Sequence, residues 1–345
     1  MWGDSVDKQI VFVEKNKAEL LEVDSQPLGE NQVRVRTVFS TISNGTEKAN
    51  ITGSPDIGIT IKKGTLATFP RMLGYSTSGI VVEKGAGVKS LEIGDRVAIY
   101  WTTHRSFNVV DEKNAVKIES DNVSLEEAAL AHIVTFPLAA LRKTRLEIGE
   151  SAMVMGLGIL GLFAVQLAHA AGAVPVIAVD PVPERREKAL KFGADYAFDP
   201  FDEDFVEKVK TITNGGVNAA IEVTGQGAGL NETLDCMAKF GRVSLLGCTR
   251  DSDFTVDYYR KVHGPGISLI GAHTAARPME ESYPGYFTTS DDIKTVLKLC
   301  ENKRINIKDM IDETYSPAEC PEVYDGLVND KNFPTVVQFD WSKVE

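Results

Sequence analysis

The chain has 345 residues, 43% of them hydrophobic and 25% charged, which excludes a disordered chain and predicts about two soluble globular domains. Its formal net charge of −12 argues against nucleic acid or an anionic membrane surface as a partner, because phosphate binding needs clustered Lys and Arg. A small-molecule partner is expected instead. The amino terminus, MWGDSVDKQI, lacks the basic and apolar regions of a signal peptide and so predicts a cytoplasmic location.

The first third of the chain is predicted to be an antiparallel, barrel-like β domain. Four segments alternate or cluster β-branched residues between turn residues. They are QIVFVEK, QVRVRTVFS, TSGIVVEKGAGV and DRVAIYW. The following segment, VSLEEAALAHIVTFPLAALRK, has a helical pattern that we expect to be kinked or divided at Pro137.

Between residues 151 and 272, strand-like and helix-like segments alternate, beginning with SAMVMG and ending with ISLIGA. This alternation predicts a parallel, doubly wound sheet, so the fold class is α/β. After residue 272 the alternation stops, and a last apolar segment, PTVVQFDW, is too small to fold alone. We therefore predict a discontinuous first domain, residues 1–130 and 273–345, and an inserted α/β domain, residues 131–272.

A glycine-rich turn lies near the start of the α/β domain. The motif G-L-G-I-L-G directly follows the strand AMVM and precedes a long apolar helix. In this context the backbone N–H groups at the helix start can face a pyrophosphate, with the positive end of the helix dipole behind them. The predicted dinucleotide-binding residues of this turn are Gly156, Gly158, Ile159, Leu160 and Gly161.

The choice of dinucleotide depends on the end of the next strand. Asp180 follows Gly156 by 24 residues, where an acid accepts hydrogen bonds from the adenosine ribose. A carboxylate there favours NAD, because it would repel the ribose phosphate of NADP. Arg185 and Arg186 keep NADP open, since a guanidinium can clamp a phosphate.

These segments together resemble the medium-chain dehydrogenase/reductase superfamily, which includes alcohol and polyol dehydrogenases and quinone reductases. The resemblance covers nearly the whole chain. It is most specific in LGYSTSGIVVEKGAGVKSLEIGDRV, EEAALAHIVTFPLAALRK, GESAMVMGLGILGLFAVQLAHAAGA, AAIEVTG and FGRVSLLG. It implies that the discontinuous domain is a GroES-like catalytic domain, that residues 131–272 form a Rossmann domain, and that a homodimer or homotetramer pairs through ISLIGA.

The resemblance also implies further contacts with the coenzyme. Arg185 would lie beside its adenosine end, and Thr135 falls where the family places a threonine against the nicotinamide. Thr224 and Gly225, which follow a strand of the Rossmann sheet, would line the cofactor cleft. Thr135, Thr224 and Gly225 lie in motifs that are quoted above.

The resemblance fails at the positions of the zinc ligands. Zinc-dependent members carry C-x-[ST]-D, where this chain has Asn44, Thr46 and Glu47 in N-G-T-E, and G-H-E, where it has Tyr75 and Ser76 in G-Y-S. Asn, Tyr and Ser rarely bind zinc, and the four cysteines of the chain form no C-x-x-C pair. The pattern implies a zinc-independent branch, close to members described as bacteriochlorophyllide dehydrogenase-like, which share S-x-G-T-E.

Without zinc, another group must stabilise the charge that develops on a substrate oxygen during hydride transfer. We expect Tyr75 to donate that hydrogen bond and Thr46 to pass a proton between substrate and ribose. His132 is the second candidate donor, because it precedes Thr135 by three residues and so shares its helix face. The predicted catalytic residues are therefore Tyr75, Thr46 and His132.

Three other side chains are open to two interpretations. His104 and His273 either flank the cleft or lie in the core, and Arg277 either meets an acidic substrate or is an exposed loop arginine. One residual metal site, which matches no zinc spacing, would use His104, His132 and Glu47.

The leading hypothesis is an NAD-dependent oxidoreductase that interconverts an alcohol and a carbonyl without catalytic zinc. One alternative is an enone or quinone reductase, which would prefer NADPH. Another is a catalytically silent dinucleotide-binding sensor or structural protein, which the missing zinc ligands motivate. The substrate pocket is expected to be built by residues 50–70 and 273–288, which match no motif.

Overall fold

The structure, a computed structural model, describes residues 6–54, 62, 64–65, 67–249 and 252–344. Residues 1–5, on which the prediction of no signal peptide partly rests, and residues 55–61, 63 and 66 of the predicted substrate loop lie outside the described residues. The chain divides into two compact units. Unit 1 comprises residues 1–133, 293–301 and 307–345, and unit 2 comprises residues 134–292 and 302–306.

The chain returns from unit 2 to unit 1 later than the sequence predicts. The expected boundary is residue 273, whereas residues up to 292 belong to unit 2. Lys143 Nζ donates hydrogen bonds to the carbonyl oxygens of Gly271 and Ala276, at 2.9 and 2.6 Å, and Arg277 donates to the carbonyl oxygen of Thr135 at 3.1 Å. These bonds hold the segment after residue 271 on the α/β unit.

Unit 1 is built around a mostly antiparallel sheet. Its described strands are β1 (Asp7–Glu14), β2 (Lys17–Val23), β3 (Gln32–Thr41), β4 (Ser76–Lys84), β5 (Arg96–Tyr100), β6 (Phe107–Asp111), β7 (Ala115–Lys117), and, near the C-terminus, β14 (Glu313–Tyr315) and β15 (Val337–Asp340). The seven-stranded sheet has the order β14-β15-β3-β4-β5-β7, with β6 paired to β3, and β1 and β2 form a separate pair. In β3 the buried Val33 and Val35 alternate with the less buried Arg34 and Arg36, as a strand with one apolar face requires.

Unit 2 holds a six-stranded parallel sheet, as the alternating pattern predicts. Its described strands are β8 (Ala152–Met155), β9 (Val176–Val179), β10 (Tyr196–Phe198), β11 (Val217–Glu222), β12 (Met237–Leu245) and β13 (Ser268–Gly271). The strand order is β10-β9-β8-β11-β12-β13. The turn with the predicted glycine motif follows β8, next to which both β9 and β11 pair in parallel. The carboxyl ends of these three strands therefore lie together at one edge of the sheet, where ligands bind in doubly wound folds.

The described helices of the chain are α1 (Asn44–Ile51), α2 (Leu125–Ala128), α3 (Ala131–Thr144), α4 (Ile159–Ala170), α5 (Pro183–Lys191), α6 (Phe205–Ile212), α7 (Gly227–Asp235), α8 (Thr289–Glu301) and α9 (Cys320–Asn329). The helical segment after residue 124 is divided between α2 and α3, whereas Pro137 lies inside α3, so a division at Pro137 is wrong. The carbonyl oxygen of Ala129 instead accepts hydrogen bonds from the hydroxyls of Thr41 and Ser76, at 2.9 and 2.6 Å. Two strands of the sheet thus satisfy the end of α2 and fix the break there.

Each unit has its own apolar core. In unit 1, Phe12 meets Tyr324 edge to face at 4.8 Å between ring centroids, among residues of β1, α9 and β15. In unit 2, side chains of β8, β9 and β11 pack with α6 and α7 around Met153 and Ile177. No helix in the described part of the chain is long and apolar enough to cross a membrane.

Candidate active site

The glycine turn of unit 2 has a shape that only glycine allows at two positions. Gly156 has φ +96°, and a Cβ there would lie 2.9 Å from Thr224 Cγ2. A Cβ on Gly161 would lie 1.8 Å from the carbonyl oxygen of Gly156. Helix α4 begins at Ile159 with Gly158 as its N-cap, so the N–H groups of its first turn, including that of Leu160, lie at the open end of the helix. This cradle fits a pyrophosphate.

Asp180 follows β9 and holds the glycine turn. Its Oδ2 accepts a hydrogen bond from the N–H of Leu157 at 2.8 Å, and its Oδ1 accepts one from the N–H of Val182 at 2.9 Å. The residue is only 3% exposed. Arg185 lies 3.6 Å from the carboxylate with a side chain that is 41% exposed, whereas Arg186 is bound to Asp199 and to the carbonyl of Asp180. The carboxylate predicted for ribose binding therefore also shapes the turn.

On the other side of β8, a second acid holds the turn after β11. Glu222 accepts hydrogen bonds from the N–H groups of Thr224 and Gly225, at 2.8 and 3.2 Å, and from the Thr224 hydroxyl. Burial raises the pKa of the Glu222 carboxyl. Glu222 was not identified from the sequence, because Asn, Asp, Ser and Thr, and not Glu, are the residues that signal such side-chain-to-backbone turns. This second turn lies against the glycine turn, since a Cβ added on Gly156 would come within 2.9 Å of Thr224 Cγ2.

Thr135 is completely buried in α3, and Arg277 holds it in place. The Arg277 guanidinium donates to the carbonyl oxygen of Thr135 at 3.1 Å and lies 3.4 Å from its hydroxyl. It also lies 3.2 Å from the Thr289 hydroxyl and 3.6 Å from Asp292, and its side chain is 5% exposed. The interpretation of Arg277 as an exposed loop arginine is wrong. The Arg277 side chain is therefore anchored in unit 2 instead of projecting into water.

Asp292 joins two arginines of this anchor. Its Oδ1 accepts a hydrogen bond from Arg142 Nε at 3.0 Å, and Arg142 stacks on the Phe287 ring at 3.9 Å. Burial raises the pKa of Asp292 to about 6, against the opposing effect of Arg142 and Arg277. Nearby, burial and then the positive charge of Lys143 lower the pKa of His273, which favours its neutral form.

In unit 1, Tyr75 lies at the centre of a group of polar and aromatic side chains that we call the Tyr75 cluster: Ser43, Tyr75, Tyr100, Trp101 and His132. The Tyr75 hydroxyl donates a hydrogen bond to Ser43 Oγ at 2.5 Å. The ring of His132 meets the ring of Tyr75 edge to face at 5.5 Å. Two of the three predicted catalytic side chains are therefore in contact.

His132 is enclosed by aromatic rings. It stacks on Tyr100 at 5.2 Å and meets Trp101 at 4.9 Å, and it is 2% exposed. Trp101, which the sequence reading missed, is 52% exposed and has φ +58°. A bulky side chain rarely takes a left-handed backbone conformation, and it does so most often at functional sites. No local sequence signal marks Trp101 apart from its place just after a strand.

Thr46 and Glu47 lie on α1 but have different surroundings. Thr46 is partly exposed, and its carbonyl oxygen accepts a hydrogen bond from Asn50 at 2.8 Å. Glu47 is completely buried; it accepts hydrogen bonds from the Ser43 N–H at 2.8 Å and from the Tyr324 hydroxyl at 2.5 Å. The catalytic role of Thr46 stays a prediction.

Glu47 belongs to a buried hydrogen-bond network that we call the Glu47 network: Ser40, Glu47, His104, Tyr324 and Trp341. His104 Nε2 lies 3.2 Å from Glu47 Oε2, and His104 Nδ1 lies 2.7 Å from Ser40 Oγ. His104 is 1% exposed, so it is a core residue of unit 1. Gly74 (φ +112°) makes room for it, since a Cβ there would lie 2.4 Å from the His104 backbone nitrogen.

The side chains at the positions of the zinc ligands of zinc-dependent relatives are bound to other protein groups. The Asn44 amide donates to the carbonyl oxygens of Pro334 and Thr335, at 2.9 and 3.2 Å. The Ser76 hydroxyl is buried and donates to Ala129, and Tyr75 donates to Ser43. Across the described residues, no group of three or more His, Cys, Asp or Glu side chains could hold a metal ion, which also excludes the residual site of His104, His132 and Glu47.

Two family models match the chain. An alcohol dehydrogenase GroES-like domain matches residues 29–144, and a zinc-binding dehydrogenase domain matches residues 160–292. Together they span parts of both the β-rich and the α/β regions. These matches confirm the predicted fold class, a GroES-like domain with a Rossmann domain.

The curated relatives are dehydrogenases. The (R,R)-butanediol dehydrogenase of Bacillus subtilis is 30% identical over 71% of this chain and 75% of its own. The L-threonine 3-dehydrogenase of Pyrococcus horikoshii is 28% identical over 90% of this chain and 92% of its own. Among solved structures, an NADP-bound protein of Sinorhizobium meliloti assigned as a zinc-binding dehydrogenase superposes with a TM-score of 0.81 over 98% of this chain and 100% of its own, at 20% identity.

Proposed function

The chain belongs to the zinc-type alcohol dehydrogenase-like, medium-chain dehydrogenase/reductase superfamily and is an NAD(P)-dependent dehydrogenase/reductase; from that premise we propose that it interconverts an alcohol and a carbonyl with NAD and without catalytic zinc. The observation that carries the proposal is Tyr75, a partly exposed phenol bound to Ser43 where zinc-dependent relatives have a histidine ligand. A bound nicotinamide supplies or accepts the hydride. In the absence of zinc, a protein side chain would have to stabilise the charge that develops on the substrate oxygen.

Tyr75 is the proposed donor to that oxygen. When a carbonyl is reduced, negative charge develops on its oxygen, and a well-placed hydrogen-bond donor lowers the barrier by about 3 kcal/mol. A phenol can donate its proton to the oxygen during reduction; during oxidation it can accept the alcohol proton while it passes its own proton on along a relay. Thr46 is the proposed second hydroxyl of that relay.

His132 supports Tyr75 in this proposal rather than touching substrate. It is almost completely buried, and its ring lies against the ring of Tyr75. An edge-to-face contact of this kind fixes the plane of the phenol and hence the direction of its O–H bond. His132 is therefore proposed as a positioning residue.

Trp101 is the proposed substrate platform. Its half-exposed indole lies beside Tyr75, with 5.8 Å between the ring centroids, and its backbone N–H donates to the Tyr75 carbonyl at 3.1 Å. An exposed aromatic face next to the proposed donor suits a substrate with an apolar face near its hydroxyl.

The proposed preference for NAD rests on Asp180. Its carboxylate would repel a ribose phosphate, and two backbone N–H groups hold it in place. The competing function, reduction of an enone or quinone with NADPH, is favoured by one observation: Arg185 is 41% exposed and stands 3.6 Å from Asp180. A guanidinium that swings outward from there could bind the phosphate.

A homodimer that pairs through β13 is part of the proposal. β13 is the last strand in the order of the parallel sheet, and Leu269 on it is 40% exposed. An edge strand has backbone groups available for pairing with a second copy. Light scattering coupled to size exclusion should report a dimer or tetramer, and a Leu269→Lys variant should shift it toward monomer.

The first test combines coenzyme binding, metal content and one variant. We expect tighter binding of NADH than NADPH, no stoichiometric zinc in the same sample, and oxidation of a probe alcohol chosen from (2R,3R)-butanediol and L-threonine, the better one being kept. Tyr75→Phe should lower kcat about 100-fold and leave the Kd of NADH unchanged. Stoichiometric zinc, a clear NADPH preference, or full activity of Tyr75→Phe would each overturn one part of the proposal.

A further inference from the structure

We propose that Ser43 is a positioning residue that fixes the Tyr75 hydroxyl, and that the buried Glu47 network holds Ser43 in place for that task. The inference rests on the proposed function, because it assumes that Tyr75 donates to the substrate oxygen. It assigns a role to Ser43, which was not among the predicted site residues, and to the completely buried Glu47.

Ser43 is the N-cap residue of α1, but its side chain does not cap the helix. A serine at this position ordinarily accepts a hydrogen bond from the N–H two or three residues on. Here Ser43 makes no such side-chain bond, and its Oγ instead accepts the Tyr75 hydroxyl at 2.5 Å. Ser124 at the start of α2 shows the ordinary arrangement, since its Oγ accepts from the Glu127 N–H in a capping box. The Ser43 hydroxyl therefore binds the Tyr75 hydroxyl instead of capping α1.

The backbone of Ser43 is held at both of its polar groups. Its N–H donates to Glu47 Oε1 at 2.8 Å, and its carbonyl oxygen accepts the Glu47 N–H at 2.8 Å. Ser43 itself is 9% exposed. The position of the serine is therefore set by the position of one buried carboxylate.

The Glu47 carboxylate is fixed from its other side. The Tyr324 hydroxyl donates to Oε2 at 2.5 Å, and burial together with the Glu47 charge raises the pKa of Tyr324 well above its ordinary value. Tyr324 therefore keeps its proton and stays a donor. The carboxylate needs no metal to hold it in place.

The remaining bonds of the network are consistent with a single arrangement of protons. Trp341 Nε1 donates to Ser40 Oγ at 2.8 Å, which leaves the Ser40 hydroxyl hydrogen for His104 Nδ1 at 2.7 Å. His104 then carries its hydrogen on Nε2 and donates it to Glu47. With this assignment, each donor in the series of hydrogen bonds from Trp341, directly after β15, to Glu47 on α1 has one acceptor. The network specifies one orientation of Glu47 and, through it, one position of Ser43.

A serine suits the Tyr75 hydroxyl because it can both accept and donate. Ser43 Oγ accepts the phenol hydrogen in the structure described here. When Tyr75 donates to a substrate oxygen, rotation of the Ser43 hydroxyl lets it donate to the phenol oxygen instead. Alanine can do neither, whereas threonine can do both.

The test measures steady-state kinetics with the probe alcohol and the Kd of NADH for Ser43→Ala, Ser43→Thr, Tyr75→Phe and the double variant Ser43→Ala/Tyr75→Phe. We expect Ser43→Ala to lower kcat about tenfold, as the loss of one hydrogen bond to a group that acts in the transition state predicts, with little change in KM or in the Kd of NADH. Ser43→Thr should recover most of kcat. In the Tyr75→Phe background, Ser43→Ala should have no further effect.

Ser124→Ala is the matched control, because it removes a serine from another N-cap of the same unit. It should lower the Tm by a few degrees and leave kcat unchanged, whereas Ser43→Ala should lower kcat with a smaller change in Tm. Glu47→Gln tests the role of the Glu47 network directly. It keeps the shape of the side chain and should lower kcat, as Ser43→Ala does.

The outcomes separate the inference from the function on which it rests. If Tyr75→Phe retains full turnover, the proposed donor role fails, whatever Ser43→Ala does. If Tyr75→Phe loses turnover while Ser43→Ala matches the parent, the donor role stands and the inference is overturned. A loss in Ser43→Ala that persists in full on the Tyr75→Phe background, or that Ser43→Thr does not recover, overturns it as well.

Discussion

The glycine turn of unit 2 and the Tyr75 cluster of unit 1 are encoded in different ways. The turn presents backbone N–H groups, and the reason for each essential glycine lies within a few residues or on a neighbouring strand. The Tyr75 cluster and the Glu47 network use side chains from residue 40 to residue 341. A backbone site can therefore be read from a short motif, whereas a side-chain site is defined only when distant segments meet.

The largest effect that would sharpen this comparison is expected at Gly161. A Cβ added there would lie 1.8 Å from the Gly156 carbonyl oxygen, which cannot move away without opening the turn. We expect Gly161→Ala to lower the Tm by roughly 5 °C and to raise the Kd of NADH at least tenfold. Differential scanning fluorimetry and a fluorescence titration with NADH measure the two effects.

Gly158→Ala is the control for that variant. The space around Gly158 is open, with nothing within 4 Å of an added Cβ, and its φ of −72° suits alanine. This variant should keep the Tm of the parent but bind NADH more weakly, because the new methyl group would lie where the pyrophosphate approaches the helix. Parent-like coenzyme binding in both variants would contradict the assignment of this turn.

Much of the fold could be predicted because its signals are local. Alternating burial along β3 and the strand–helix alternation after residue 151 follow directly from the residue pattern. The break between α2 and α3 could not be predicted, because it depends on hydroxyls of β3 and β4 that donate hydrogen bonds to Ala129. Pro137 was predicted to be the break because the helical pattern alone does not reveal these contacts with the sheet.

The candidate site shows the same limit. Tyr75 and His132 were recognised through positions in matched motifs, and the structure brings their rings together. Ser43 and Trp101 were missed, because each is defined by a partner from a distant part of the chain. Arg277 was open to two interpretations for the same reason: only its contact with Thr135 shows that the loop folds back.

The pH dependence of stability at Asp292 tests whether the stability of unit 2 also depends on a network of side chains. Its pKa is raised from 3.8 to about 6 by burial, so the native state binds a proton more tightly than the unfolded chain does. The resulting stabilisation is fully present below pH 3.8 and is lost as the pH rises to about 6. From pH 5.5 to 7.5 this group should lower the free energy of unfolding by on the order of 1 kcal/mol.

The measurement compares urea unfolding of the parent and of Asp292→Asn at pH 5.5 and 7.5. The difference between the two proteins isolates the titration of this one carboxyl, because other groups titrate equally in both. The parent should lose stability relative to the variant as the pH rises. A difference that is independent of pH, or that changes in the opposite direction, would show that Asp292 is ionised throughout by Arg142 and Arg277.

The smallest effect, and the one that most directly probes the Tyr75 cluster, is expected for Trp101→Gly. Glycine takes a φ of +58° without strain, and the indole is 52% exposed, so the change should leave the Tm equal or slightly higher. Loss of the aromatic platform should raise the KM of the probe alcohol about fivefold, as the loss of one aromatic contact predicts, with the Kd of NADH unchanged.

Phe240→Gly is the matched control: Phe240 also has a left-handed backbone, with φ +62°, and is 76% exposed, but it lies on β12 of unit 2. If both variants gain stability and only Trp101→Gly raises KM, the strain at Trp101 serves substrate binding, whereas equal KM values in the two variants would make it a feature of the backbone alone.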